Sequence, residues 1–335
     1  QQDFGMRGIK MSYFLVSVSN KTNLDLCIKH ALAGFTNSIN GLWTFTEIQE
    51  GDFISFLYGA KVFNLYKVIK KEAIKNAETI PPWPSVTFRM SGKTYFFPFR
   101  LYLKPLREFI EPMVKPEFAY VAENLLLRGG YRKTHFQADQ TTLQSVSQMG
   151  ILYNRTIENL TINGCETFTP MLTWNRSFVS PPAIFFFHEF ILQSLIRKHL
   201  SLNTNLQVFF DSCSLNNFRA KDFEVLGEKA LPEGHIDILI KDCIPAGYTR
   251  KIIIEVKTGK ANFGDIIQLE KYVTEVGDEC VLGILIARGF PKKVWQKTEN
   301  KRIKCFTYSF GLIDKTQKYY LDELELNFRL FPLKR

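Results

Sequence analysis

The sequence predicts an α/β C-terminal half, with a mixed central sheet flanked by helices, behind an α+β N-terminal half. Three observations carry this. Lys251-Ile-Ile-Ile-Glu-Val-Lys257 is a β-branched run of the kind buried inside a sheet, and Gly234-His-Ile-Asp-Ile-Leu-Ile240 reads as a second strand beside it. The stretch from Ala183 to Ile196 is apolar nearly all round, as a buried helix is. At the front, Met11 to Val18 alternates at the strand period.

The remaining elements follow in order. A helix is expected from about Asn23 to Ala33. Gly41-Leu-Trp43-Thr-Phe45 then leads to a Glu50-Gly51-Asp52 turn, with strands after it up to Tyr58 and from Val62 to Ile69. Pro81-Pro-Trp83-Pro84 is a rigid loop, and Ser91-Gly92 turns a hairpin between 86–88 and 95–99. Glu117 to Leu127 is helix-prone. Arg128-Gly-Gly-Tyr-Arg132-Lys133-Thr-His135 forms a basic loop that could track phosphates, and a polar helix spans roughly Gln137 to Gln148. Pro181-Pro182 marks the boundary, giving a front domain over 1–150, a linker over 151–180 and a second domain over 181–335.

A length of 335 residues allows two cores, and 30 phenylalanines make them aromatic. The net charge of +10 suits an anionic partner, nucleic acid before membrane surface. The six cysteines are scattered without a Cys-x-x-Cys pair, which argues against structural zinc. The longest apolar run is broken by His188 and Glu189, so no membrane association is expected and a reduced, cytoplasmic location is. No phosphate-binding loop occurs, which excludes a nucleotide cofactor of that kind.

Glu255 and Lys257 lie two apart on one strand and share a face, and Asp237 on the neighbouring strand would join them. Two carboxylates and an ammonium at one point can hold a divalent metal against a phosphodiester. Glu189 in its apolar helix needs a partner of this sort. Gln268 and Tyr272 follow one helical turn apart, and Lys260 could touch phosphate.

In the order Gly-x-Ile-Asp237-x-Leu, Glu255-x-Lys257, Gln268-x-x-x-Tyr272, residues 180 to 335 resemble the PD-(D/E)XK nuclease superfamily, in its RecB-like and archaeal mismatch-endonuclease branch. Ile236 departs from the usual proline. The resemblance implies Mg²⁺, with Mn²⁺ as a substitute, held by Asp237, Glu255 and Glu189, and catalytic work by Lys257, Gln268 and Tyr272.

Residues 11 to 145 resemble the PUA-like group containing EVE and YTH domains, through Ser17, Ser19 and Asn20, then Trp43, then Gly51-Asp-Phe-Ile-Ser-Phe56. That resemblance implies an α+β barrel with an aromatic pocket for a flipped, modified base, built from Trp43, Trp83, Tyr58, Ser17 and Asn20. Arg128, Arg132, Lys133, His135 and Lys260 would follow the backbone. Together these imply a homodimeric, modification-dependent restriction endonuclease acting on double-stranded DNA. Alternatives are an enzyme for an unmodified sequence, a mismatch- or structure-specific nuclease, and a non-catalytic reader of methylated RNA or DNA.

Overall fold

The computed structural model describes residues 11–111 and 134–333, apart from 60, 88, 90, 161, 163, 232, 233 and 300. The front half carries strands β1 (Tyr13–Ser17), β2 (Leu32–Phe35), β3 (Phe53–Tyr58), β4 (Lys61–Ile74), β5 (Val86–Thr87), β6 (Thr94–Tyr95), β7 (Phe99–Glu108) and β8 (His135–Ala138). Helices α1 (Lys21–His30), α2 (Ile39–Glu47) and α3 (Gln140–Val146) lie among them. Asn20 starts α1, its side chain accepting the Asn23 N–H at 2.7 Å. The sheet runs β2-β7-β4-β3-β1-β8, with β1 and β3 parallel and the other ladders of that path antiparallel.

No ladder joins β2 to β8 among the described residues, so the expected barrel is an open sheet there. Its two outer strands have four residues each and offer few backbone groups for a closing seam. The expected linker is also not a plain connection. Within it, β9 (Ile151–Leu152) pairs with β7, β10 (Thr167–Phe168) pairs with β4, and β11 (Met171–Thr173) joins β12 (Ile184–Phe186) and β18 (Lys318–Tyr320) in a small sheet.

The C-terminal sheet is mixed, as expected, in the order β13 (Phe223–Leu231), β14 (Gly234–Asp242), β15 (Lys251–Lys260), β16 (Cys280–Gly289), β17 (Ile303–Ser309), β19 (Arg329–Pro332). Strands β15, β16 and β17 are parallel. Helices α4 (Glu189–Ser201) and α5 (Asn203–Ser212) precede the sheet, α6 (Phe263–Val276) follows β15, and α7 (Lys292–Gln296) and α8 (Leu321–Asn327) come later. Ile252, Ile254 and Val256 of β15 pack with α4 residues, while Ile253 packs with Leu269 and Tyr272 of α6, so the strand is covered on both faces. Helix α4 starts later than the apolar run suggested. The β-favouring Phe185 and Phe186 stay in β12, and His188 caps the helix by accepting the Phe190 N–H at 3.3 Å.

One apolar cluster runs from Phe14 of β1 through Leu192 of α4 to Phe328, so the halves share a core. Arg197 of α4 and Glu47 of α2, each 4% exposed at the side chain, form an ion pair across that junction. No helix among the described residues is long and apolar enough to cross a membrane.

His199 of α4 sits edge-on to Phe328 at 5.1 Å and receives an Asn205 amide at 3.3 Å. Burial, helped by the Arg329 charge, lowers its pKa from 6.5 to about 4. The unfolded chain therefore binds this proton below about pH 6.5 while the folded one refuses it until about pH 4. Stability is expected to fall as pH drops through that window, and thermal melts of His199→Gln should show a flatter profile there.

Candidate active site

The β14–β15 ladder pairs Lys241 with Lys251 and ends at Ile238 opposite Ile254. The next residues on the two strands are Asp237 and Glu255. With the ladder ended, the Val256 N–H donates to Asp237 Oδ2 at 2.7 Å, so the carboxylate takes an amide near the strand gap. Lys257 Nζ donates to Glu255 Oε1 at 2.8 Å and lies 3.8 Å from Glu189 Oε1. Glu189 Oε2 accepts the Thr258 N–H at 3.3 Å. Four of the expected residues thus meet at one place, drawn from β14, β15 and the first turn of α4.

The electrostatics are those of crowded carboxylates. Burial and the neighbouring Glu255 charge hold the Asp237 carboxyl well above its ordinary range. Burial also raises Glu255, against the pull of Lys257. Burial opposes the charge on Lys257, but Glu255, Asp237 and Glu189 outweigh it and keep the ammonium protonated.

Glu255 is 2% exposed, and its Oε2 has no hydrogen-bond partner. A buried carboxylate oxygen left over beside a second carboxylate fits a divalent cation, which satisfies such oxygens. Among the described residues no group of three His, Cys, Asp or Glu is arranged to hold a metal ion. Glu189, expected as a third ligand, is turned to Lys257 and the Thr258 amide instead. The fit is therefore to a two-carboxylate set, completed by phosphate and water as Mg²⁺ commonly requires.

On α6, Gln268 Nε2 donates to Tyr272 Oη at 2.9 Å, and the same oxygen lies 3.3 Å from the His235 amide nitrogen. A Cβ at Gly234 would meet that hydroxyl at 2.4 Å, which explains the glycine. Ile236, the departure from the family pattern, is buried against this helix. Sequence reasoning missed Tyr308, whose hydroxyl donates to the Thr258 carbonyl at 2.8 Å. It comes from β17, some 50 residues away, and no local motif points to it. Lys260 is exposed at the end of β15, and Arg288, Lys292 and Lys293 stand exposed close by in sequence to its register partner Gly289.

A cavity of about 500 Å³ opens in the front half, lined by Trp83, Tyr95, Phe97, Ser17, Asn40 and Thr134 among others, with no charged side chain among the described lining residues. Trp83 lies against Gly34, where a Cβ would meet its ring at 2.4 Å. Arg100 covers the ring at 5.3 Å and bonds to the Pro81 and Ile80 carbonyls at 2.6 and 3.0 Å, fixing the proline loop. Trp83 and Ser17 both line this cavity, and Trp83, like Trp43, is only 5% exposed.

The other pocket expectations are corrected. Trp43 is 5% exposed and stacked on Phe190, because its segment is helix α2 with one face on α4. Tyr58 ends β3 and packs at the edge of the core, and Asn20 is spent capping α1. His135 is no phosphate contact either. It is 6% exposed at the start of β8, with Nδ1 2.8 Å from the Thr44 hydroxyl. Arg128, Arg132 and Lys133, and the helix-prone run before them, lie outside the described residues. A larger cleft of about 1070 Å³ between the halves is lined by none of the carboxylate cluster, and its Lys198 and Arg197 are paired with Glu325 and Glu47.

No family model matches this chain, and no curated protein matches it. Among solved structures it is similar to a repair endonuclease from Pyrococcus abyssi, at 19% identity over 30% of this chain and 43% of that one, with a TM-score of 0.22. It is also similar to the DNA modification-dependent restriction endonuclease AspBHI (9% identity, 86% of this chain, 66% of that one, TM-score 0.20). A third is the MspJI restriction endonuclease in complex with a 27-mer oligonucleotide (6% identity, 85% and 62%, TM-score 0.18). The chain spans under half of the repair enzyme's length, and TM-scores of this size leave the assignment to the residues themselves.

Proposed function

We propose that the chain is a divalent-metal-dependent endonuclease for double-stranded DNA, with a front cavity that receives a flipped, modified base. The observation that carries the first part is the meeting of Asp237 and Glu255 where β14 and β15 part, with Lys257 beside a buried, partnerless Glu255 oxygen. Asp237 and Glu255 would hold Mg²⁺, or Mn²⁺ in its place. Bound there, the ion would supply positive charge against the phosphate and lower the pKa of water.

The chain's own groups do the rest. Lys257 Nζ, 2.8 Å from Glu255 Oε1, would position the attacking water or a phosphate oxygen, or take the water's proton. Glu189 holds that ammonium and the Thr258 amide in place. Gln268, tied to Tyr272, stands on the helix that covers the same strand. Lys260, Arg288, Lys292 and Lys293 would follow the DNA phosphates. The described part of the cavity wall carries no charged side chain, which suits a neutral, flat base, and stacking on an aromatic ring of that wall would contribute roughly 1–3 kcal/mol. Cutting both strands calls for two such sites, hence a homodimer.

The test incubates the protein with Mg²⁺, Mn²⁺ or EDTA and matched plasmids from methylating and non-methylating hosts. Metal-dependent cutting, faster on the methylated plasmid, is expected. No cutting of either plasmid with either metal would overturn the reading.

A further inference from the structure

We propose that Trp43 and Phe190 are positioning residues that couple the front cavity to Glu189, so that a filled cavity is registered at the cutting site. The inference rests on the function proposed above. It begins at the cavity wall, which includes Ser38 and Asn40 at the start of α2 and Thr134 just before β8. The Asn40 carbonyl accepts from the Thr44 hydroxyl at 3.0 Å and the Thr134 hydroxyl at 3.3 Å. Thr44 also meets His135 Nδ1 at 2.8 Å. Anything that presses on this wall therefore presses on one hydrogen-bonded turn of α2.

Trp43 is the next side chain along. Its ring stands edge-on to His135 at 4.6 Å and 75°, and lies flat on Phe190 at 4.4 Å and 9°. Phe190 directly follows Glu189 in the first turn of α4, and Glu189 engages Lys257 and Thr258. Arg197 and Glu47 pin the same two helices together further along. The buried Trp43 ring and the half-buried Phe190 ring are in van der Waals contact and do not compress, so a displacement of α2 is handed on to α4. At the receiving end, a shift of Glu189 alters its hydrogen bond from the Thr258 N–H at 3.3 Å and its approach to Lys257 Nζ at 3.8 Å.

A merely structural pair of rings would lower stability and slow cutting of all substrates alike. A coupling pair alters the difference between substrates. The experiment compares the wild-type chain with Trp43→Leu and Phe190→Leu, two variants that keep the site apolar. The probes are duplexes carrying 5-methylcytosine or N6-methyladenine and their plain counterparts. Affinity is read in Ca²⁺, and single-turnover cleavage rate in Mg²⁺. Both variants should keep the affinity ratio of modified to plain duplex, while the ratio of cleavage rates falls about 10-fold, within the usual range of coupling between sites. A Trp83→Ala change should add nothing further to that loss of rate ratio.

Rate ratios unchanged in both variants would overturn the coupling. Equal slowing of modified and plain substrates would overturn it too, leaving the rings a structural role. A wild-type chain that cuts but shows no preference for either modification would overturn the cavity reading and the coupling with it. A wild-type chain that cuts nothing overturns the nuclease reading itself.

Discussion

Glu255→Gln is expected to reduce metal-dependent cleavage by on the order of 10³-fold, while DNA affinity in Ca²⁺ stays within about 3-fold of wild type. The substitution keeps the shape of the side chain but removes the charge on the oxygen that lacks a partner. Lys257→Ala and Asp237→Asn should fall in the same range, since each removes one member of the same cluster. Asp237→Asn adds a second readout. Its carboxyl is pushed up by burial and by Glu255, so neutralising it relieves repulsion, while the amide oxygen can still accept the Val256 N–H. The variant should therefore melt at or above the wild-type temperature while cutting poorly, as expected where a site is strained for its work. Retained cleavage in Glu255→Gln would remove Glu255 from the reaction, and a strongly lowered melting temperature in Asp237→Asn would contradict the electrostatic account.

Arg197→Ala is expected to cost about 3–5 kcal/mol, the penalty for leaving one partner of a buried ion pair behind. Glu47 would keep its carboxylate at a side-chain exposure of 4%, without the guanidinium that meets both its Oε1 and, at 3.0 Å, its carbonyl. The ring of Phe14, 5.7 Å from the guanidinium, would lose its cover as well. A fall in melting temperature of roughly 4–7 °C should result in a chain of this size. Arg197→Met combined with Glu47→Leu should recover most of it, since replacing a buried pair by apolar groups is often neutral. A loss below about 1 kcal/mol, as for exposed pairs, would mean that water reaches this junction.

The grouping of carboxylates and lysine was readable because strand geometry is local. Glu255 and Lys257 two apart must share a face, and the run Ile252-Ile-Ile254 announces a buried strand. The ending of the ladder at Ile238 was not readable, because pairing between strands depends on backbone geometry that side-chain type does not encode. The prolines made the loop around Trp83 legible, but not that its ring is buried to 5% exposure against Gly34 and Arg100. The place of Trp43 was not legible, since an aromatic side chain in a helix reads the same whether it faces a cavity or another helix. His135 was misplaced by its basic neighbours, although its own position is buried in a strand. The span 151–180 shows polarity on the page and gives no sign that β9, β10 and β11 add themselves to strands far back or far ahead in the chain.

Those late additions govern how the polypeptide can be divided. A fragment beginning at residue 181 would lack β11, stripping the middle member from between β12 and β18 and leaving two bare margins. It would also uncover Leu192 and Leu195 where they rest on residues of the opening half. Any attempt to isolate the C-terminal unit must therefore start ahead of Met171 and supply a substitute for the missing apolar neighbour, or the product will stick to itself.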